Sequence, residues 1–387
     1  MAADDAAAPA EHAVAPVRAI PPDAGAPPPA GTGLCLSGGG YRAMLFHLGA
    51  LKRLNDAGLL RGLDRISSVS GGSITSAALA VAWERLRWSD GVAADFDERV
   101  IAPVRALARH TIDVWAVLKG ALPFTSIGAQ VAGAYDEHLF RGARLSDLPG
   151  EGAPRFVINA TNLESGVLFR FSRPHAADWR VGRIEAPDIP LAHAVAASSA
   201  FPPVLSPFEI DLRRATWRTD PGNDLTSDGY RGRIALSDGG VYDNLGLETV
   251  WKRCERVLVS DGGGQMPDDD DPPHDWPRQT LRVLKVIDNQ VRSLRKRQVV
   301  GSYELGLRRG TYWGIRSDVA AYRLDDPLAF PPAEAARLAA LPTRLAAVPD
   351  RDQERLVDWG YVICDTALRR WVDRGLPRPD RLPYGGA

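Results

Sequence analysis

The sequence predicts an α/β fold built on a mainly parallel central sheet, and two segments lead to this prediction. In the first, the apolar stretch Gly33–Leu36 runs into a glycine-rich turn and then into Tyr41–Asn55, where leucines recur at helical spacing. In the second, Ile66–Ser70 runs into two glycines and then into a helix-like pattern that continues to about Arg87. A short buried strand, a tight turn and a helix, occurring twice, are typical of parallel strands joined by crossover helices.

The rest of the chain adds elements to this plan. Residues 90–150 contain no convincing strand pattern, and we interpret them as an inserted helical cap or lid. Further strands are expected at Arg155–Asn159, Val167–Phe171, Arg233–Ser237 and Arg256–Ser260, and helices at Leu191–Ser199, Gln279–Val300 and Glu354–Val372. Residues 1–30, rich in Ala and Pro, are expected to form a disordered tail, residues 31–380 a single domain, and residues 381–387 a C-terminal tail.

Composition excludes several classes of protein. With 45% hydrophobic and 25% charged residues among 387, the chain has the composition of a soluble globular protein, and its net charge of −1 gives no general attraction to nucleic acid. The three cysteines, Cys35, Cys254 and Cys364, are far apart and odd in number, which argues for a reducing compartment. No stretch has the form of a secretory signal or a clean transmembrane span, so a cytoplasmic protein is expected. The Ala- and Arg-rich composition is compatible with a high-GC bacterium.

Ser70 is the candidate nucleophile. It stands between a predicted strand and a predicted helix, in the segment Ser68-Val-Ser70-Gly71-Gly72. A serine on such a turn is lifted out of the sheet, and the N-terminus of the following helix favours negative charge near its oxygen. Gly71 and Gly72 leave room for a substrate to approach. The pattern differs from the nucleophile elbow G-x-S-x-G because Ser68 replaces the first glycine.

The run Gly38-Gly39-Gly40 is the candidate oxyanion-binding loop. Consecutive glycines can turn several backbone N–H groups toward one point, where they stabilise a developing negative charge. A phosphate-binding loop is the competing interpretation, but the chain has neither Lys-Ser or Lys-Thr after the glycines nor the G-x-G-x-x-G spacing. Arg42 is expected either to hold this loop or to meet a phosphate head group, and the sequence does not choose between these roles.

Asp238 is the candidate general base. It ends a predicted strand and is followed by Gly239 and Gly240, a placement from which a carboxylate can reach a serine on a neighbouring strand. The competing interpretation is an ordinary Asx turn. Ser-Asp-Gly-Gly occurs again at 260–263, which makes Asp261 the rival of Asp238.

The histidines offer no better base. His274 follows Ser70 and Asp238 in the order Ser…Asp…His, but it lies in an acidic, proline-containing loop, and His47 lies within a predicted helix. No group of histidines, cysteines or carboxylates has the spacing of a metal site, so we expect neither a metal nor an organic cofactor. A Ser70–Asp238 dyad is therefore preferred.

Three of these blocks, taken together, resemble the patatin-like phospholipase family. Ser37-Gly-Gly-Gly-Tyr-Arg42 is similar to its glycine-rich oxyanion loop with a trailing arginine. Ser68-Val-Ser70-Gly-Gly72 is similar to its nucleophile elbow, and Asp238-Gly-Gly240 to its catalytic Asp-Gly-Gly or Asp-Gly-Ala. The segments Asn159–Asn162 and Ala197–Pro203 also resemble the family, and the likeness extends from about Gly33 to Leu247. Two departures are Ser37, where many members carry Asp, and Ser68 in the elbow.

The resemblance implies a three-layer α/β/α sandwich in which Ser70 and Asp238 hydrolyse acyl esters of phospholipids or lysophospholipids. Asn244 follows Asp238 at about the family's spacing, which favours Asp238 over Asp261. Two alternatives stay open: a general carboxylesterase or acyltransferase with the same dyad, and a non-catalytic lipid-binding module with a decayed elbow.

A lipid hydrolase needs a route to its substrate, and two segments are candidates for it. The apolar stretch 114–124 is a candidate lid, and the basic helix Gln279–Val300 is a candidate for peripheral contact with a membrane surface. The competing interpretation is that each packs its apolar side onto the core. No nucleic-acid partner is expected, and the sequence does not predict an oligomeric state.

Overall fold

The computed structural model describes residues 29–113 and 126–385. The strands are β1 Thr32–Leu36, β2 Arg65–Val69, β3 Trp88–Ser89, β4 Val92–Ala93, β5 Arg155–Asn162, β6 Leu168–Phe171, β7 His175–Asp178, β8 Gly182–Glu185, β9 Phe208–Asp211, β10 Trp217–Arg218, β11 Arg233–Asp238, β12 Arg256–Asp261 and β13 Arg309–Gly314. The α-helices are α1 Gly40–Asp56, α2 Gly71–Ala82, α3 Ala102–Leu107, α4 Ile127–Tyr135, α5 Leu191–Ser198, α6 Asp228–Arg231, α7 Gly240–Asp243, α8 Glu248–Trp251, α9 Trp276–Glu304, α10 Pro332–Ala339 and α11 Asp350–Trp371.

Five adjacent strands form the parallel centre of the main sheet, in the spatial order β5-β2-β1-β12-β13. Strand β1 lies in the middle, with Leu34 opposite Ile66 of β2 on one side and Leu258 of β12 on the other. Because parallel strands end at the same edge of a sheet, the turns that follow β1 and β2 lie side by side. The two glycine-rich turns predicted from the sequence therefore share one edge.

The sheet continues beyond β5 with antiparallel strands. Strands β6, β7, β8 and β10 follow in order, and each runs antiparallel to its neighbour. Strand β11 also runs antiparallel to β5, a direction that the sequence pattern does not give. Strands β7 to β10 and β13 were not expected, since they are short or carry little apolar alternation.

Helices cover both faces of the parallel centre. Leu34 and Leu36 of β1 belong to a large core shared with α1, α2 and α11, and α1 packs along α11. Cys35, between them, points to the other face and joins a smaller cluster with Val259 of β12 and Val299 of α9. The alternation of side chains along β1 thus feeds two separate cores. This confirms the expected three-layer α/β/α sandwich with a mainly parallel central sheet.

The long basic helix α9 differs from the most common behaviour of an amphipathic helix. Five apolar residues at helical spacing, Leu281, Leu284, Ile287, Val291 and Leu294, predict an apolar stripe on this helix, and all of them except Val291 are exposed. Among the described residues, 29–113 and 126–385, no helix is both long enough and apolar enough to cross a membrane.

The described residues of the segment 90–150 include helices α3 and α4, and, contrary to the expectation of no strand there, β4 forms a small hairpin with β3. The candidate lid at 114–124 lies outside the described residues, as does nearly all of the expected tail at 1–30. The domain boundaries stay predictions.

Candidate active site

Ser70 occupies the sharp turn between β2 and α2. Its backbone has φ 51° and ψ −121°, a conformation that is strained for any residue with a side chain and typical of a nucleophile elbow. The side chain is 8% exposed and lies at the N-terminus of α2. Ser68 lies within β2 and has no positive φ, so replacing the elbow glycine by serine introduces no backbone strain there.

The first turn of α2 packs directly against the glycine loop. A Cβ atom on Gly71 would lie 2.1 Å from the carbonyl oxygen of Gly40, and one on Gly72 would lie 2.5 Å from that of Leu36. Neither contact is possible for a residue with a side chain unless the backbone moves. The two glycines therefore allow the approach of the serine turn to the loop, in addition to leaving space for a substrate.

A hydroxyl network fixes the backbone of Ser70. The Ser70 N–H donates to Oγ of Ser198, at 3.0 Å, and Ser198 donates in turn to the carbonyl of Asn159, at 2.6 Å. Oγ of Ser73 lies 2.9 Å from Oγ of Ser198. From the sequence, Ser198 and Asn159 are only members of family-like segments, because nothing in the local pattern indicates which distant backbone group a buried hydroxyl will contact.

The sheet register explains why Asp238 lies near Ser70. Val69, the last residue of β2, pairs with Asn159 of β5, and Asp238, the last residue of β11, pairs with Ala160. Strands β2 and β11 thus follow one another along the same edge of β5, running in opposite directions, and their C-terminal ends meet. The Ser70 hydroxyl lies near enough to the Asp238 carboxylate for hydrogen bonding between them to act on the pKa of Asp238, lowering it.

Asp238 is buried and held by several hydrogen bonds. Its Oδ1 accepts from the N–H of Gly240, at 2.7 Å, its own N–H donates to Ala200 O, at 2.8 Å, and its carbonyl accepts from the Thr161 hydroxyl. A Cβ on Gly239 would lie 2.4 Å from Asn159 O, so this turn also needs glycine. Burial raises the pKa of Asp238 to about 7, against the opposing effect of its hydrogen bonds. No described cation forms an ion pair with it.

The glycine loop presents two unused amides beside the serine. A Cβ on Gly38 would lie 3.2 Å from Cβ of Ser70, which shows how closely the loop approaches the nucleophile. Gly39 and Gly40 have φ of 146° and 60°, which favour glycine, and their N–H groups donate to no described residue. The Gly38 N–H, in contrast, donates to Asn244 O at 3.0 Å. Of the three amides expected to receive an oxyanion, two are therefore available.

The structure assigns Arg42 to the first of its two expected roles. The side chain is 4% exposed, and its guanidinium donates to the backbone carbonyls of Gly262, Ala339 and Leu341. It therefore ties the base of the glycine loop to two other loops. Ser37, the other departure from the family pattern, accepts from the N–H of Gly262 at 2.9 Å and adds to the same contact.

Asp261 has surroundings unsuited to a base. Oδ2 lies 2.7 Å from Nζ of Lys296 and accepts from the Tyr312 hydroxyl at 2.7 Å, and Oδ1 lies 3.8 Å from Arg292. Burial alone would raise the pKa of Asp261, but the charges of Lys296 and Arg292 hold it well below its usual range.

None of the described hydrogen bonds joins a histidine to Ser70 or Asp238. His47 is fully buried and bonds to Ser260 Oγ and Ser37 O, each at 2.9 Å, and burial lowers its pKa to about 4. His274 is exposed and makes no hydrogen bond with a described residue. Among these residues, no group of three or more His, Cys, Asp or Glu side chains could hold a metal ion.

Comparison with known proteins identifies a family and a fold. A family model described as "Patatin-like phospholipase" matches residues 34–251. Among solved structures, human GIVD cytosolic phospholipase A2 has a TM-score of 0.51 and 14% identity, with 87% of this chain and 61% of that chain covered. This chain therefore spans about three fifths of the length of that structure. VipD from Legionella pneumophila has a TM-score of 0.36 and 15% identity, with 88% and 67% covered. A search of curated protein sequences found no significant match.

Proposed function

The chain belongs to the patatin-like phospholipase family, and from this premise we propose that it is a serine hydrolase that cleaves acyl esters of phospholipids or lysophospholipids. One observation carries the proposal: the strained Ser70 lies beside the buried carboxylate of Asp238, which has no ion pair among the described residues, and beside two glycine-loop amides that donate to no described residue. A nucleophile, its base and an oxyanion site are the parts that acyl transfer needs.

The proposed reaction begins with attack of Ser70 Oγ on the ester carbonyl carbon while Asp238 takes the hydroxyl proton. The N–H groups of Gly39 and Gly40 and the N-terminus of α2 stabilise the oxyanion; removing one such donor typically costs about 3–4 kcal/mol of transition-state stabilisation. Asp238 then protonates the departing alcohol. Water attacks the acyl-enzyme with Asp238 again as base, which restores Ser70.

The pKa of Asp238 suits this double role. A base works best when its pKa lies near the working pH, because it must be ionised to accept a proton and acidic enough to return it. A surface aspartate, with an ordinary pKa near 3.9, is a weak base at neutral pH. Burial without a neighbouring described cation raises the pKa of Asp238 to about 7.

The exposed apolar surface supports a lipid rather than a small soluble ester as substrate. Val241 follows Asp238 by three residues, and Phe201 follows Ala200, whose carbonyl accepts from the Asp238 N–H; the two are 46% and 54% exposed. Helix α9 packs against α7, which begins two residues after Asp238, and its N-terminal half exposes Val283, Leu284 and Ile287 together with basic side chains. Apolar and basic residues on one exposed helix are typical of a segment that lies on an anionic membrane surface. We expect α9 to dock there.

The decisive experiment compares wild type with Ser70→Ala on a p-nitrophenyl butyrate substrate and on phosphatidylcholine vesicles. Ser70-dependent release from both substrates supports the lipid acyl hydrolase. Release from the short ester alone favours a general carboxylesterase, and transfer of the acyl group to added glycerol favours an acyltransferase. If the folded protein releases product from neither substrate and does not react with a fluorophosphonate probe, the lipid-binding module is favoured and the proposal is refuted.

A test of the docking surface uses the same Ser70→Ala protein, which cannot consume the vesicles. We expect it to sediment with vesicles containing 30% phosphatidylserine, and we expect Leu284→Asp with Ile287→Asp to abolish this binding. Leu307→Asp, which changes another exposed leucine outside α9, is the matched control. Equal binding by all three proteins contradicts this role for α9.

A further inference from the structure

A polar pocket lies beside the middle of α9, next to the exposed apolar N-terminal half of that helix. It has a volume of about 360 Å³, within the range of small-molecule sites, roughly 300–1,000 Å³. Its walls are the loop after β12, the middle of α9 and the residues that follow β13. Neither Ser70 nor Asp238 lines it. The charged residues of its lining are Asp261, Arg292, Lys296 and Arg316.

Positive charge exceeds negative charge around this pocket. Three cations line it against the single carboxylate of Asp261. The Arg42 guanidinium is also close, since a Cβ on Gly264 of the pocket wall would lie 3.0 Å from its Nη2. Burial above all, and then repulsion by Arg292 and Arg316, lowers the pKa of Arg42 to about 10. Asp288, which lies 3.9 Å from Arg292, is the other carboxylate that faces this group of cations. Four cations therefore share two carboxylates.

Two of these cations lack adequate partners within the described residues. Arg292 is 8% exposed, its Nε has no hydrogen-bond partner, and its terminal nitrogens lie 3.8 and 3.9 Å from the carboxylates of Asp261 and Asp288. These separations exceed hydrogen-bond distance. Arg316 makes no hydrogen bond or ion pair with any described residue. A buried guanidinium without hydrogen bonds is costly, so Arg292, which has only long ion pairs and faces a pocket, indicates that a ligand supplies the hydrogen-bond acceptors.

We propose that this pocket binds an anion carrying a phosphate group. Guanidinium forks hold phosphate oxygens through pairs of parallel hydrogen bonds, and an ammonium adds a point charge. Arg292, Arg316 and Lys296 supply two forks and one ammonium around a single space. The pocket volume leaves room for an organic group bearing the phosphate, so the source is either the head group of an anionic lipid or a soluble phosphate ester.

The pocket is linked to the glycine loop by direct hydrogen bonds. Its wall includes Gly263 and Gly264, which follow Gly262 in the chain. The Gly262 carbonyl accepts from Arg42 at 3.2 and 3.3 Å, and its N–H donates to Ser37 Oγ at 2.9 Å. An anion held against this wall orders the support of the loop that carries Gly39 and Gly40. Occupation of the pocket is therefore expected to raise kcat rather than to lower KM.

Binding is tested on the Ser70→Ala protein, so that the outcome does not depend on the proposed hydrolysis. Inorganic phosphate and inositol 1,4,5-trisphosphate are titrated by calorimetry into this protein and into versions that also carry Arg316→Gln or Arg297→Gln. Arg316 is exposed and unpaired, so its replacement should leave the fold intact, and Arg297, exposed on α9 outside the pocket lining, is the matched control. We expect Arg316→Gln to weaken binding about tenfold or more, and Arg297→Gln to change it less than twofold.

A second arm distinguishes the two sources of phosphate. The same proteins are sedimented with phosphatidylcholine vesicles, with or without 5% phosphatidylinositol 4,5-bisphosphate. A lipid head group is supported if the protein binds the phosphoinositide vesicles tightly and the soluble ligands weakly. The vesicle binding should then be weakened by Arg316→Gln and not by Arg297→Gln. Tight binding of the soluble ligands with the same sensitivity supports a soluble phosphate ester. If neither arm shows binding that depends on Arg316, the proposal is overturned, whether or not the wild-type protein hydrolyses lipids.

Discussion

The tetrapeptide Ser-Asp-Gly-Gly occurs at the end of β11 and again at the end of β12, and its two aspartates have opposite surroundings. Asp238 lies beside Ser70 and forms no ion pair with a described residue, and burial raises its pKa to about 7. Asp261 lies between Lys296 and Arg292, which hold its pKa well below its usual range. Both side chains are almost fully buried. The difference shows that the charges brought by distant elements, rather than the motif or burial, determine whether an aspartate can act as a base.

Helix α9 accounts for most of this difference. It lies behind β12 and carries both of the cations that face Asp261. Tyr312 of β13 adds a hydroxyl donor from the neighbouring strand. Strand β11 has instead the antiparallel β9 and the serine turn as neighbours, and neither brings a positive charge to Asp238.

The largest expected effect comes from replacing each aspartate separately. Asp238→Asn should lower kcat/KM about 100- to 10,000-fold, since it removes the base while keeping the shape of the side chain. Asp261→Asn should keep at least tenfold more activity than Asp238→Asn. Steady-state hydrolysis of p-nitrophenyl butyrate measures both. If Asp261→Asn alone abolishes turnover, Asp261 is the base and the assignment to Asp238 is wrong.

The pH profile should report Asp238 and be insensitive to Asp261. Because Asp238 must be ionised to accept the Ser70 proton, kcat/KM should be constant above about pH 8 and fall about tenfold per unit well below its pKa of about 7. Asp261, with a lowered pKa, stays ionised across this range. A midpoint near pH 4, the ordinary aspartate value, contradicts the proposed environment of Asp238.

The same shift has a consequence for stability. The raised pKa means that the folded state binds a proton that the unfolded state has released, so this group's contribution to stability falls as the pH rises from about 4 to about 7 and is constant above. Asp238→Asn removes this cost. The variant should therefore gain stability over wild type, on the order of 1 kcal/mol or more at pH 8 and less near pH 4.5. Urea unfolding at the two pH values measures the gain.

Replacing the aspartate of the second motif is expected to lower the stability of the protein. Asp261→Asn leaves Lys296 and Arg292 without a full counter-charge and should cost about 2 kcal/mol in urea unfolding at pH 7. This is less than the roughly 3–5 kcal/mol for a fully buried pair, because the Lys296 side chain is 38% exposed. Asp268→Asn, the same change in the exposed loop that follows, should change the free energy of unfolding by less than about 0.5 kcal/mol. Equal values for the two variants indicate that the ion pairs of Asp261 contribute nothing.

Much of the fold and of the site's inventory was predictable from local patterns. Strand β1 is a short, largely apolar run before a glycine turn, and β2 precedes the paired glycines Gly71 and Gly72, so the existence and approximate bounds of both follow from the local pattern. The short strands β7 to β10 were not predictable, because pairing with neighbours rather than their own residues makes them strands. The role of the Ser198 hydroxyl could likewise not be predicted, since its partner Asn159 lies in β5, distant in the sequence.

The sequence by itself determined the glycine-framed turns, the serine between β2 and α2, and the family to which they belong, because backbone strain and close approach restrict which residues can stand there. Only the tertiary structure decided three features of the site. The ends of β2 and β11 lie together along β5 and bring Asp238 beside Ser70, the Gly38 N–H donates to Asn244, and the charge of Asp261 is balanced by Lys296 and Arg292. The physical reason is range. Steric restrictions act between adjacent residues and are visible in the chain, whereas electrostatic and hydrogen-bond partners are supplied by elements tens of residues away.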